Sequence, residues 1–119
     1  MRHTIKTTHY SLTPDANEYL EEKLLSLEKL MDSDAVVEIE LGRITEGQLH
    51  GRIWRAECNI DVAGRVLRAV AIDETLHAAI DTMKDDIAAQ LKKSNAKEAS
   101  LMRRSGAKVK EWLKFGQDY

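Results

Sequence analysis

A chain of 119 residues with 43% hydrophobic and 32% charged residues is long enough for one buried core and too short for two, and its composition excludes a disordered polymer. No run approaches the ~18 apolar residues of a membrane span and the N-terminus lacks the pattern of a signal peptide, so the expected compartment is the cytoplasm, as a lone Cys58 with no internal disulfide partner also suggests. The formal charge of −2 hides two unlike parts: residues 1–91 hold 10 Lys+Arg against 17 Asp+Glu, a net −7, whereas residues 92–119 hold 8 against 3, a net +5. An acidic body with a basic tail points to a polyanionic partner for the tail.

His3 to Thr8 is rich in Thr and Ile and suits a first strand, with Ile5 and Thr7 on one side and Thr4 and Lys6 on the other. Leu12-Thr13-Pro14 then sets a capping hydroxyl before the chain's single proline, which belongs at the first position of a helix. Ala16, Leu20, Leu24, Leu27 and Met31 form its apolar stripe, and the helix is expected to end near Asp32-Ser33-Asp34. From Val36 the period drops to two. Val37, Ile39 and Leu41 alternate with Glu38 and Glu40 in a second strand, and Gly42 to Gly51 reads as a wide hairpin connection. The third strand is the clearest, with Trp54, Ala56, Cys58, Ile60 and Val62 inward. Ala63-Gly64 signals a tight turn into a fourth, with Leu67, Ala69 and Ala71 inward. Its other side is unusual: Val66, Val70 and Ile72, with Val36, give an outward apolar patch suited to a homodimer through the outer sheet face.

The last helix is predicted from Asp73, as cap, to Lys93. Leu76, Ile80, Met83, Ile87 and Leu91 recur at steps of four, three, four and four, which draws one stripe along the rod. Two helices, each with one apolar stripe, are both buried only on the same face of a four-stranded sheet. The expected fold is therefore α+β, a β-α-β-β-β-α two-layer sandwich with both helices on one face and strands 1 and 2 parallel. Residues 1–93 make this domain. Residues 94–119 are expected to be a basic tail, mobile unless docked on a partner or on the sheet: Ala96, Ala99 and Met102 can prolong the last helix, Ser105-Gly106 should interrupt it, and Val109, Trp112 and Leu113 give a second short amphipathic turn.

Catalytic constellations are absent from the pattern. His3, His9, His50 and His77 lack metal-ligand spacing, and His77 falls on a polar flank where it should be solvated. Cys58 reads as a small core residue, and the glycines form no phosphate loop. Asp81, Asp85 and Asp86 read as a solvated acidic helix face, because calcium sites need a loop with backbone carbonyls. Neither metal, cofactor nor small-molecule substrate is expected.

Several short stretches, in order and spacing, carry a resemblance. Leu12-Thr13-Pro14, Leu27-Glu28-Lys29-Leu30, Val66-Leu67-Arg68-Ala69, Ala78-Ala79-Ile80-Asp81 and Gln90-Leu91-Lys92-Lys93 together resemble the ribosome hibernation promoting factors, also called ribosome-associated inhibitors or sigma-54 modulation proteins. The likeness runs from about residue 3 to 93 and is to a short form. It implies a non-catalytic factor that binds the small ribosomal subunit in the channel of messenger and transfer RNA and silences translation in resting, stationary-phase or stressed cells. Family members turn basic side chains of both helices toward ribosomal RNA; the matching positions here are Lys23, Lys29, Lys92 and Lys93. The family's usual Asp-Lys-Leu-Glu-Arg-Gln-Leu is replaced by Asp85-Asp86-Ile87-Ala88-Ala89-Gln90-Leu91, and its tyrosine near the helix start by His77. A lysine replaced by Asp86 and an arginine by Ala89 weaken RNA contact there, so Lys97, Arg103, Arg104, Lys108 and Lys110 of the tail are expected to compensate, with Trp112 beside them to stack or pack. The alternative is a protein-interaction or oligomerisation module on the same fold that has lost RNA affinity and works through its sheet face.

Overall fold

Six elements follow the changes of period along the chain: β1 (Arg2–Thr8), α1 (Pro14–Glu28), β2 (Val36–Arg43), β3 (Trp54–Val62), β4 (Arg65–Asp73) and α2 (Leu76–Gly116). The computed structural model describes residues 1–45 and 52–116, with side chains to Arg103. The strands form one sheet in the order β1-β2-β3-β4, in which β1 runs parallel to β2 and the other neighbours are antiparallel. This is the α+β sandwich that the alternation and the two stripes require. Leu20, Leu24 and Leu27 of α1 and Ile80, Met83, Ile87 and Leu91 of α2 share one core with Val37, Ile39, Leu41, Ala56, Cys58, Ile60 and Ala69, so both helices cover the same face.

Local chemistry sets the ends of the elements. The Thr13 hydroxyl accepts from Ala16 N at 3.2 Å, and Pro14 opens α1 where its missing N–H leaves no bond unmade. The helix stops at Glu28, earlier than its stripe suggests, because Leu30 N and Met31 N turn back onto Leu27 O and Glu28 O. Gly42 is needed where β2 passes β1: a Cβ there would stand 2.8 Å from Thr8 O. β2 continues past that glycine to Arg43, and Ile44 N donates to Ile53 O at 2.7 Å, so the expected connection opens later than Gly42. The rest of that connection, residues 46–51, lies outside the described residues. Between β3 and β4, Ala63 (φ 51°) and Gly64 (φ 77°) make a two-residue turn of the hairpin-compatible hand.

Two expectations about α2 are corrected. Asp73 does not cap it. Asp73 is still in β4, opposite Trp54, and its carboxylate accepts from Glu74 N at 2.7 Å. The cap is Thr75, whose hydroxyl accepts from Ala78 N at 3.0 Å and whose carbonyl accepts from Ala79 N at 3.0 Å. Nor does Ser105-Gly106 interrupt the rod, which runs unbroken to Gly116. A lone glycine inside a helix costs only about 1 kcal/mol relative to alanine, and here Arg103, Arg104, Ala107 and Lys108 on either side favour the helix. Among the described residues, the last hydrogen bonds from α2 to the body are made by Ser94 and Asn95. Ser94 Oγ accepts from Arg65 Nη1, and Asn95 Nδ2 donates to Leu30 O at 2.9 Å. Beyond that point Leu101 and Met102 are exposed, 47% and 68%.

Candidate nucleic-acid interface

The cations singled out in the sequence fall into three environments. Lys92, Lys93 and Lys97 are exposed on α2 where the helix leaves the body, Lys93 and Lys97 one turn apart on one flank and Lys92 on the next. Arg103 is exposed farther along the same rod, and the Arg104 side chain lies outside the described ones. Among the described residues none of Lys92, Lys93, Lys97 and Arg103 is in an ion pair. Lys29 is exposed just past α1 and shares the lining of a cavity of about 240 Å³ with Leu30, Asp32, Arg65 and Asn95. Arg65 is a cation that the sequence reading missed. It is brought beside Lys29 by the hairpin turn, and its Nε is buried with no hydrogen-bond partner among the described residues. Nothing local in the sequence signals this, because the pocket joins the end of α1, the start of β4 and the middle of α2.

Lys23 belongs to a different arrangement. Its ammonium lies 3.5 Å from Asp81 Oδ1 and 4.9 Å from the centre of the Tyr19 ring, while the Tyr19 hydroxyl donates to the same Asp81 oxygen at 2.5 Å. His77 stacks on Tyr19, with centroids 4.1 Å apart and planes 12° from parallel, and its Nε2 is 3.4 Å from Asp15 Oδ2. The helices are thus latched across their contact by an aromatic pair with a carboxylate at each side. Asp81 holds the Tyr19 hydroxyl above the usual phenol range, chiefly through their hydrogen bond. Partial burial pulls the Lys23 ammonium down, but the charges of Asp81 and Tyr19 outweigh it and hold Lys23 above its ordinary value. Lys23 is therefore a partnered cation. His77 is correspondingly less free than its polar flank suggests, and Asp81 is part of the helix latch rather than of a solvated face.

Asp86 has a structural role as well. Its carboxylate accepts from Gln90 Nε2 at 3.2 Å, and the same amide donates to Arg68 O at 2.8 Å on β4. Since β4 is an edge strand, that amide covers a carbonyl otherwise open to another chain.

The outer sheet face has its own pattern. Glu57 accepts from Arg68 at 2.6 Å and from Arg55 at 2.8 Å; hydrogen bonds from Arg68 hold its carboxyl below the usual range against the opposing effect of burial. Cys58, one residue on, faces the core, where burial pushes its thiol up to about 12 and removes it as a nucleophile at neutral pH. Val66, Val70 and Ile72 are exposed beside them, 73%, 39% and 42%, as the alternation of β4 predicts. Among the described residues no group of three His, Cys, Asp or Glu side chains converges on a metal position, and no helix is long and apolar enough to cross a membrane.

A small α+β body carries a helix that extends beyond it, with exposed cations that are in no ion pair among the described residues. Residues 3–99 match the family described as sigma 54 modulation protein / S30EA ribosomal protein, and the chain belongs to that family. The N-terminal domain of Protein Y from Thermus thermophilus has the same fold, with a TM-score of 0.65 and 28% identity over 78% of this chain and 98% of that one. A ribosomal subunit interface protein from Coxiella burnetii also shares it, at TM-score 0.65 and 16% identity over 81% and 99% of the two chains. No curated protein sequence matches the chain significantly.

Proposed function

We propose that the protein is a non-catalytic ribosome hibernation factor of the cytoplasm, which binds the small ribosomal subunit in the channel of messenger and transfer RNA and silences translation in resting cells. The observation that carries this reading is the set of exposed cations Lys92, Lys93, Lys97 and Arg103 on α2, none of them in an ion pair among the described residues, borne on the fold of a ribosome-associated family. Side chains of this kind neutralise phosphates and release counterions, giving affinity for the shape and charge of folded RNA. Lys29 and Arg65 add a second cationic point where α1 ends. Lys23, held by Asp81, contributes mainly to the helix contact in the free protein.

Co-sedimentation with 30S particles tests the reading. Association is expected to fall on the order of 10²-fold between 50 and 200 mM salt if about four phosphates are contacted, and Arg103→Glu with Arg104→Glu should weaken it and flatten the salt slope by about two. Binding by that double variant equal to wild type at moderate salt would remove Arg103 and Arg104 from the interface. The exposure of Val66 and Ile72 favours a second reading, a protein-interaction module working through the sheet face. Association by that route should change little with salt.

A further inference from the structure

The outer sheet face and the apolar side of the free part of α2 are not accounted for by ribosome binding, and their chemistries are complementary. On the outer sheet face the registers place Val36 opposite Asp61 and Asp61 opposite Val66, so an apolar, an acidic and an apolar residue lie in a row across β2, β3 and β4. A groove of about 300 Å³ runs there, lined by the side chains of Val36 and Val66 with Glu38, Asn59 and Asp61. Glu38 and Asp61 are exposed, and neither is in an ion pair among the described residues. The second surface is the free part of α2. Met102 follows Leu91 by eleven residues, about three helical turns, so it continues the face that is buried in the body, yet it and Leu101 have no sheet beneath them. Arg103 stands next to them, and Arg104, Lys108 and Lys110 follow in the sequence.

We propose that residues 96–116 of one copy dock on the outer sheet face of a second copy, with Met102 over the Val36–Val66 groove, Leu101 on one flank of the rod and Arg103 on the other, reaching toward Glu38 and Asp61. The chain cannot do this to itself. α2 packs on the inner face of the sheet and leaves the body as one unbroken helix, so its own outer face is behind it. The contact joins two different surfaces, and two such contacts exchanged reciprocally close a dimer. This goes beyond the ribosomal reading, and because Arg103 serves both, self-association and RNA binding compete for the rod.

The test is made without ribosomes, so its failure leaves the ribosomal reading untouched. Sedimentation equilibrium of the full chain in low salt should give a mass about twice the 13.5 kDa of the monomer, with the dimer weakened at least about tenfold in high salt. A sheet variant, Glu38→Lys with Asp61→Lys, and a rod variant, Leu101→Ser with Met102→Ser, should each be monomeric at concentrations where wild type is dimeric. Mixed, they should form a one-to-one dimer of lower affinity, because the intact rod of the first still meets the intact sheet of the second. Val66→Lys replaces the sheet variant if circular dichroism shows that the charge reversal disturbs the fold. A monomeric wild type, a sheet variant that still dimerises, or a mixture that stays monomeric would each overturn the proposal.

Discussion

The two halves of α2 are one continuous helix with opposite employment. From Leu76 to Asn95 its apolar stripe is buried, and polar side chains on its flanks are tied to the body: His77 to Tyr19 and Asp15, Asp81 to Tyr19 and Lys23, Gln90 to Arg68 O, Ser94 to Arg65 and Asn95 to Leu30 O. From Ala96 onward the stripe reaches exposed Met102, with exposed Leu101 on one flank and Arg103, in no ion pair among the described residues, on the other. Periodicity alone does not decide which half does what; the end of the sheet does. Folding stability should therefore reside in the first half, and affinity for a polyanion chiefly where the rod leaves the body and beyond.

The largest expected effect tests that division directly. Leu91 is fully buried, and Leu91→Ala should cost about 2–5 kcal/mol in urea unfolding, whereas Leu101→Ala, ten residues along the same helix, should cost less than about 0.5 kcal/mol. Equal losses at the two positions would mean that the outer half also packs on the body.

That division also explains what was legible in the sequence. The alternation in β2, β3 and β4 and the stripes Leu20-Leu24-Leu27 and Ile80-Met83-Ile87-Leu91 name nearly the whole core, since each repeats at the period of its own element. The latch of Tyr19, Lys23, His77 and Asp81 was hidden because Tyr19 and Asp81 are 62 residues apart and meet only through the axial offset of two helices. Lys23 illustrates the cost of this: spacing puts it beside the stripe, but cannot say that the flank it occupies faces α2. The position of the α2 cap was obscured for a different reason, since Asp73 and Thr75 are both good caps and the choice depends on how far β4 keeps its pairing with β3.

Asp81→Ala comes next in size and links the two properties. It removes the acceptor of Tyr19 and the partner of Lys23 from a site that is about half exposed, so the expected loss is about 1 kcal/mol. It also frees Lys23 and deletes an anion, so 30S association at low salt should become several-fold tighter. Lower stability with unchanged affinity would leave Lys23 outside the interface.

Glu57 offers a pH test on the opposite face. Its carboxyl is held low mainly by hydrogen bonds from Arg68, then Arg55, and a lowered acid stabilises the fold above its unfolded value of about 4.3 and loses that contribution as pH falls through the lower folded value. Glu57→Gln should therefore cost about 1 kcal/mol at pH 7, with the difference from wild type shrinking below pH ~4. A difference that persists unchanged at pH 2 would assign the loss to packing instead of charge.

The smallest effect is a gain. Ala63 holds φ at 51°, a left-handed conformation that costs an alanine roughly 1 kcal/mol and suits asparagine better, above all ahead of a glycine in a two-residue hairpin. The turn starts the strand from which Arg65 reaches Ser94, close to where the rod leaves the body. Ala63→Asn is expected to raise stability by about 0.5 kcal/mol, a shift of a few degrees in Tm. Because the substitution touches only the body, 30S association and its salt slope should stay as in wild type; a change in either would show that the hairpin end is itself part of the binding surface, beside Lys29 and Arg65.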